Sequence, residues 1–168
     1  MDRIDRVSIV GMGAMGILYG DFFANALGRE QVTFLADSDR ARRYRNTPVY
    51  CNGRKMDFRI QDGAVPDSQG PAQLLLFAVK ATALGDAISV AGNQVGKDTV
   101  ILSVLNGITS EAVIGEALGM DHVLYCVSQG MDAVKLGNEL TYSHMGQICI
   151  GIPEDQAYKE PMLLAVTD

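Results

Sequence analysis

Four apolar runs separated by helix-like segments dominate the first two-thirds of the chain. Residues 7–10, 31–36, 74–79 and 99–105 are rich in hydrophobic side chains. A short apolar run of this kind is typical of a parallel strand that is covered on both faces. Strands that alternate with helices predict an α/β fold, namely a Rossmann-type doubly wound parallel sheet.

The helices are predicted from the segments between these runs. They cover residues 17–27, 39–45, 80–90 and 110–118, and a further strand is predicted at 122–127. Gly28 is placed to end the first helix and Ser38 to cap the second, which Pro48 stops.

Antiparallel elements are predicted in two places. Asn52-Gly53, between residues 49–51 and 54–58, favours a two-residue turn and therefore a β-hairpin insertion. The short, glycine-punctuated segments 133–136, 139–143 and 147–150 predict a terminal antiparallel β-meander. After Pro153 the chain becomes more polar, and residues 155–166 predict one more helix.

Composition narrows the class of protein. The 168 residues correspond to one domain, and the net charge of −6 argues against a nucleic-acid-binding face. No apolar run reaches the roughly 18–20 residues that a membrane span needs, and the acid-containing N-terminus does not resemble a signal peptide. We therefore expect a cytoplasmic protein with no membrane or nucleic-acid partner.

Cysteine and histidine give no sign of a metal site. Cys51, Cys126 and Cys149 are widely separated, so they are interpreted as reduced packing residues. His122 and His144 lack metal-ligand spacing, and His122 is expected to have a structural role at the head of a strand.

A glycine motif follows the first apolar run directly. Residues 11–16 read Gly11-Met12-Gly13-Ala14-Met15-Gly16, with a predicted strand before them and a helix after them. In a dinucleotide site the first glycine permits the tight turn, the second admits the pyrophosphate, and the third allows close helix–strand packing. The helix N-terminus then faces the phosphates, so the motif predicts binding of NAD or NADP.

The end of the second strand carries a candidate ribose ligand. Asp37 lies 21 residues beyond Gly16, where a carboxylate can accept hydrogen bonds from the adenosine ribose and so favours NAD. A capping role for this residue is the alternative. Arg40 opens a cluster of arginines, with Arg42, Arg43 and Arg45, which either holds a 2′-phosphate or is a solvated helix face. The choice between NAD and NADP stays open.

Two further polar residues follow apolar strands. Lys80 comes after the run 74–79 and Asn106-Gly107 after the run 99–105, where open α/β sheets place their ligands. Lys80 is interpreted as a contact to the cofactor or to an anionic substrate, or else as an exposed helix residue. Asn106 is interpreted as a contact to cofactor or substrate, or else as a turn former.

Three motifs together resemble the ketopantoate reductases, also called 2-dehydropantoate 2-reductases. They are the glycine motif 11–16, Phe77-Ala78-Val79-Lys80-Ala81 and Ser103-Val104-Leu105-Asn106-Gly107-Ile108, and the resemblance covers about residues 5–151. It implies reduction of a 2-keto acid such as ketopantoate with NADPH, in pantothenate biosynthesis. It also implies that residues 11–16 hold the pyrophosphate, that Lys80 and Asn106 line the cofactor–substrate junction, and that Met131 contacts the cofactor.

The chain departs from this family's pattern in two ways. Many members carry an arginine at or near the position of Asp37, and members have a second, helical domain that supplies the proton donor. We therefore assign residues 1–152 to an NAD(P)-binding domain and 153–168 to the start of a linker or helix toward a second domain that is absent. We expect the chain to bind a dinucleotide but to have little or no reductase activity.

A domain that packs against a second domain should expose an apolar seam, and two other functions remain as alternatives to the reductase. The seam should include Met162, Leu163 and Leu164, and it offers a surface for homodimer formation. The alternatives are a fragment of a β-hydroxyacid dehydrogenase and a non-catalytic NAD(P)-binding sensor module.

Overall fold

The computed structural model describes residues 3–167, in which, as far as residue 118, strands alternate with helices except for the consecutive strands between residues 49 and 77. The strands are β1 (Val7–Val10), β2 (Val32–Ala36), β3 (Val49–Cys51), β4 (Arg54–Met56), β5 (Arg59–Asp62), β6 (Leu74–Phe77), β7 (Val100–Ser103), β8 (Tyr125–Gln129), β9 (Val134–Leu136), β10 (Glu139–Thr141) and β11 (Gln147–Gly151). The α-helices are α1 (Ala14–Leu27), α2 (Ser38–Asn46), α3 (Leu84–Ala91), α4 (Ser110–Leu118) and α5 (Glu160–Thr167).

Five parallel strands form the central sheet, in the order β5-β2-β1-β6-β7. The chain builds outward from β1 through β2 to β5, then crosses back to place β6 on the other side of β1. This reversal creates a crevice at the carboxyl ends of β1 and β6, which is where doubly wound sheets bind ligands. The predicted Rossmann-type sheet is confirmed.

Each face of the central sheet packs against helices. On one face, the strand residues buried with α1 and α5 are Val7, Ile9, Phe34, Leu74 and Leu76. On the other face, those buried with α3 and α4 are Val10, Leu35, Leu75, Phe77 and Ile101. Successive strand residues point to opposite faces, so coverage on both sides explains why these strands are continuous apolar runs.

A smaller sheet, in the order β4-β3-β10-β9, covers the outer side of α1. Its hairpin turn has positive φ at both Asn52 (48°) and Gly53 (76°), the conformation that tight hairpins require and that Asn-Gly favours. The predicted hairpin is confirmed. Ile17 and Leu18 of α1 pack against Val49, Cys51 and Leu140 of this sheet.

Asp21 on α1 ties the helix to this smaller sheet. Its side chain is only 1% exposed, and Arg54 Nη2 lies 3.0 and 3.1 Å from its two carboxylate oxygens. The Tyr142 hydroxyl donates to Asp21 Oδ2 at 3.0 Å, and the Cys51 thiol lies 3.7 Å from the same oxygen. Burial and this carboxylate raise the pKa of Tyr142 to about 12 and that of Cys51 to about 11.

The terminal strands are antiparallel but do not form the single meander that was predicted. β8 pairs with β11, whereas β9 pairs with β10, which in turn lies parallel to β3. The backbone N–H groups of Tyr50 and Asn52 donate to the carbonyls of Asn138 and Leu140, and these bonds draw β10 to the hairpin instead of to β11.

The region before β8 also differs from the prediction. His122 lies in a short 3₁₀ turn, Met120–His122, and the strand begins only at Tyr125. The His122 ring Nδ1 lies 2.9 Å from the carbonyl oxygen of Thr99, a contact consistent with its expected structural role.

The C-terminal segment packs against the central sheet. It begins with a 3₁₀ segment, Glu154–Lys159, and continues into α5, from which Met162 and Leu163 contact the core. Lys159 is 0% exposed, and its Nζ donates to the carbonyls of Met120 (2.7 Å) and Val123 (2.8 Å). The prediction of an exposed seam at 162–164 is therefore wrong for the first two residues; Leu164 alone of the three is exposed, at 54%.

Candidate functional site

A cleft of about 930 Å³ lies at the carboxyl ends of the central strands. Its lining includes most of the residues singled out in the sequence: Gly11, Gly13, Ala14, Met15, Asp37, Arg40, Lys80, Asn106 and Met131. The central sheet explains this convergence, because residues that follow different parallel strands meet at one edge.

The three glycines of the motif have distinct steric roles. Gly11 has φ +104°, and a Cβ there would lie 2.5 Å from the Ala78 carbonyl oxygen. A Cβ on Gly16 would lie 1.8 Å from the Gly11 carbonyl oxygen. A Cβ on Gly13 would meet no atom within 4 Å, so the open space is on the cleft side of this residue. The turn thus needs Gly11 and Gly16, whereas Gly13 leaves room for a ligand.

The close helix–strand packing expected at Gly16, whose Cβ would lie 3.5 Å from the Phe34 ring, extends to a second glycine. A Cβ on Gly20, one turn after Gly16, would lie 2.8 Å from the ring of Phe34 on β2. Gly16 is buried and does not line the cleft. Met12 does not line it either, because its side chain packs between the core and the smaller sheet.

The N-terminus of α1 faces the cleft beside the open space at Gly13. Gly13 is the N-cap residue, and no side chain caps the helix. The first backbone N–H groups of a helix lack partners within it and attract anions. The chain therefore supplies the donor set that a pyrophosphate requires.

Asp37 caps α2 and also lines the cleft. Its Oδ1 accepts the Arg40 backbone N–H at 2.8 Å. The predicted cap at Ser38 is therefore wrong, because the N-cap residue is Asp37, whose side chain bonds to the first turn of the helix that follows it. Its Oδ2 lies 3.4 Å from Arg40 Nη1. The capping and ligand-binding interpretations are compatible, because the side chain is 44% exposed.

The arginine cluster divides between the cleft and solvent. Arg40 lines the cleft, whereas Arg42, Arg43 and Arg45 do not. Arg42 pairs with Asp39, and Arg45 donates to the Ile60 carbonyl. Tyr44, one turn after Arg40, also lines the cleft, and its i, i+4 spacing from Arg40 is the sequence signal that marks it.

Lys80 and Asn106 lie at the opposite side of the cleft, after β6 and β7. Both are exposed, and neither side chain makes a hydrogen bond or ion pair to residues 3–167. Lys80 precedes a 3₁₀ turn, Ala81–Ala83, and α3 starts only at Leu84, so the predicted helix 80–90 is in part a tighter turn. A cation and an amide are thus free to bind a ligand.

Strand β8 contributes residues that sequence analysis missed. Cys126, Val127 and Ser128 line the cleft, and the Ser128 hydroxyl is hydrogen-bonded to that of Tyr19. The Cys126 thiol donates to the Ser103 carbonyl at 3.0 Å, and burial raises the pKa of this thiol to about 11. Cys126 is therefore a neutral thiol near pH 7 and not a reactive thiolate.

Two kinds of feature bear on metal and membrane binding among residues 3–167: metal-binding groups of side chains and membrane-spanning helices. No group of His, Cys, Asp and Glu side chains within residues 3–167 is arranged to hold a metal ion. Among the helices of this part, none has both the length and the apolar character for crossing a bilayer. His144 is exposed, and its ring Nδ1 lies 3.1 Å from a carboxylate oxygen of Asp132. Hydrogen bonds from the backbone and the ring of His144 lower the pKa of Asp132 to about 2.

The family model for ketopantoate reductase PanE/ApbA matches residues 7–155, which is most of the chain. The chain belongs to the ketopantoate reductase family. Its motifs at Gly11–Gly16, Lys80 and Asn106 all fall within the matched span.

Solved structures share this fold. The 2-dehydropantoate 2-reductase from Geobacter metallireducens is 21% identical with a TM-score of 0.69, over 96% of this chain and 56% of that one. The dimeric ketopantoate reductase from Staphylococcus aureus is 17% identical with a TM-score of 0.64, over 94% and 56%. A D-mandelate dehydrogenase with NADH and anilino(oxo)acetate is 19% identical with a TM-score of 0.70, over 96% and 54%. This chain thus spans little more than half the length of these proteins.

Proposed function

We propose that this chain forms the NAD(P)-binding domain of a 2-dehydropantoate 2-reductase-like oxidoreductase. The reaction is hydride transfer from NAD(P)H to a 2-keto acid such as ketopantoate. One observation carries the proposal: the open glycine turn at Gly13 shares a single cleft with the unpartnered Lys80 and Asn106 side chains.

Different residues of the cleft would bind different parts of the cofactor. The backbone of residues 11–15 and the N-terminus of α1 would hold the pyrophosphate, and Asp37 with Arg40 would lie at the adenosine end. Met131 would contact the opposite end. When bound, NAD(P)H supplies the hydride.

Lys80 and Asn106 would bind the substrate. The Lys80 ammonium attracts the carboxylate of a 2-keto acid, and the Asn106 amide both donates and accepts hydrogen bonds, so it can orient ketone and cofactor together. The new alkoxide also needs a proton, and general acid catalysis contributes roughly 10²–10⁴-fold. We propose that the principal proton donor lies in the part of the longer relatives that this chain does not match.

Substitution of Gly13 tests the cofactor site. Gly13→Ala should fold normally, because the added methyl meets no atom within 4 Å, yet it should intrude on the pyrophosphate. Gly151→Ala is the matched control, since its Cβ is equally free and the residue does not line the cleft. By calorimetry we expect Gly13→Ala to weaken dinucleotide binding at least about 10-fold and the control to leave it unchanged. Unmeasurable binding of both NADH and NADPH by the unmodified chain would overturn the proposal.

The chain alone should turn over ketopantoate slowly or not at all. Following the absorbance of NADH, and separately of NADPH, with ketopantoate present measures this directly. A turnover of roughly 1–10³ per second, ordinary for enzymes, would contradict the assignment of the proton donor to another domain.

The alternative functions give different binding results. A β-hydroxyacid dehydrogenase fragment would bind a 3-hydroxy acid alongside NAD, and a sensor module would bind the nucleotide with no keto acid. The reductase proposal expects ketopantoate to bind the chain loaded with NADH or NADPH and expects Lys80→Ala to abolish that binding.

Partners and location remain proposals of the same kind. We propose homodimer formation, but through a different surface from the seam predicted at residues 162–164: Tyr125 and Val127 on β8 are exposed. Sedimentation velocity at several concentrations tests this, with Val127→Ser expected to favour the monomer. We also propose a cytoplasmic location and no nucleic-acid partner, in line with the acidic net charge of −6.

A further inference from the structure

We propose that this chain selects NADH over NADPH, and that the Asp37 carboxylate makes the selection. The inference rests on the proposed cofactor site. NADH and NADPH differ at the adenosine ribose, which carries a free 2′-hydroxyl in one and a 2′-phosphate in the other. The groups at the carboxyl end of β2 therefore decide between them.

The first step of the argument is that Asp37 is fixed in place. Its Oδ1 accepts the Arg40 backbone N–H at 2.8 Å, while Oδ2 lies 3.4 Å from Arg40 Nη1. The side chain still lines the cleft and is 44% exposed. A carboxylate has about four acceptor sites, so this one retains acceptors for a ribose hydroxyl and has no proton to offer a phosphate.

The second step concerns Arg40, the arginine of α2 that lines the cleft. Its guanidinium is paired with Asp37, and a 2′-phosphate at this place would have to compete with that carboxylate. Arg42 is paired with Asp39 and Arg45 contacts the Ile60 carbonyl, so neither reinforces Arg40 at the cleft.

The third step is a second carboxylate at the same sheet edge. Asp62 ends β5 and lies opposite Ala36 in the neighbouring β2. The Ser38 hydroxyl, which follows Asp37 in sequence, donates to Asp62 Oδ2 and lowers the pKa of that carboxyl. A hydroxyl suited to a phosphate is thus already engaged by Asp62, directly beside Asp37. This edge favours the uncharged ribose hydroxyl.

Replacing Asp37 with asparagine tests the effect of its negative charge apart from its role as the cap of α2. Asn caps helices about as well as Asp, so Asp37→Asn should preserve α2 while removing the negative charge. Asp39→Asn is the matched control, because Asp39 is in the same first turn, is paired with Arg42 and lies outside the cleft. Calorimetry with NADH and NADPH on each protein gives the ratio of the two dissociation constants.

We expect the unmodified chain to bind NADH about 10- to 100-fold more tightly than NADPH, the range of a charge-assisted hydrogen bond. Asp37→Asn should shift this ratio toward NADPH by a similar factor, with the melting temperature unchanged, and Asp39→Asn should not shift it. Adding Arg40→Gln to Asp37→Asn should remove the gain for NADPH, because the released guanidinium is then lost.

The failures are distinguishable. Equal or tighter binding of NADPH by the unmodified chain overturns the selection but leaves the proposed function standing. A folded Asp37→Asn variant with an unchanged ratio overturns the role of Asp37. Binding of neither dinucleotide overturns the proposed function itself.

Discussion

The two sides of the cleft differ in how fully the chain constrains them. On the glycine side, Gly11 and Gly16 leave no room for a side chain, and Asp37 is hydrogen-bonded to its own helix. On the other side, Lys80 and Asn106 are exposed and make no hydrogen bond or ion pair within the described residues, and Ile108 beside them is 91% exposed. The first side is built to hold a fixed ligand, whereas the second presents groups that gain partners only when something else binds.

Under the proposed function, this difference would make nucleotide binding separable from turnover. A rigid turn around a helix N-terminus can bind phosphate by itself, since its backbone donors are preorganised. Positioning a ketone demands contacts from several directions, and free side chains at a rim do not supply them.

The strongest test of the contrast is steric. Gly16→Ala should destabilise the chain by at least about 3 kcal/mol, because its Cβ would lie 1.8 Å from the Gly11 carbonyl oxygen and the backbone must move. Urea unfolding followed by circular dichroism measures this. Gly13→Ala, the companion variant in the same turn, should lose at most about 1 kcal/mol. Equal losses would show that the turn is not sterically constrained in the way described.

Alkaline pH tests how firmly α1, which carries the glycine turn, is held to the smaller sheet. The pKa of Cys51 is raised from 9.0 to about 11, and that of Tyr142 from 10.0 to about 12, chiefly by burial. Both groups are neutral acids in the folded state, so they contribute stability below pH 9 that is lost as pH rises toward 12.

Tyr142→Phe should make the fall in unfolding free energy between pH 9 and 12 less steep, because one of the two titrating groups is gone. Tyr125→Phe, at an exposed position on β8, serves as the control. Identical slopes for the unmodified chain and Tyr142→Phe would show that the pKa of Tyr142 is not raised at its place beside Asp21.

The smallest expected effect is on the other side of the cleft. Lys80→Ala and Asn106→Ala should each change the free energy of unfolding by less than about 0.5 kcal/mol, because both side chains are exposed and without partners in the described residues. Thermal unfolding of the two variants checks this. A loss above about 1 kcal/mol for either would mean that its side chain does contribute to the stability of the fold.

Local sequence signals were enough to predict much of the sheet and of the cleft. Each of three features depends on residues that are adjacent in sequence, so it could be predicted without knowledge of the tertiary structure. They are the glycine turn, the Asn52-Gly53 hairpin and the polar residues after β6 and β7. Asp37 was correctly placed at the strand end, although its capping of α2 became evident only from the helix geometry.

Elements that depend on distant partners could not be predicted in the same way. Strand β5 reads Arg59-Ile60-Gln61-Asp62 and lacks an apolar run, because it is a half-exposed edge of the central sheet. Strand β10 pairs with β3 across almost 90 residues of chain, so its sequence alone does not reveal its neighbour. Cys126 and Ser128 reach the cleft through the path of β8, which no local motif marks.

The buried ammonium of Lys159 has a consequence for dividing this polypeptide into modules. Its two carbonyl acceptors, on Met120 and Val123, lie more than 30 residues earlier, and α5 covers apolar surface that would otherwise meet water. Shortening the chain to residue 152 would leave both carbonyls without that donor and uncover part of the core. Any fusion or domain exchange should therefore be joined beyond α5, because this helix packs on the same core as α1.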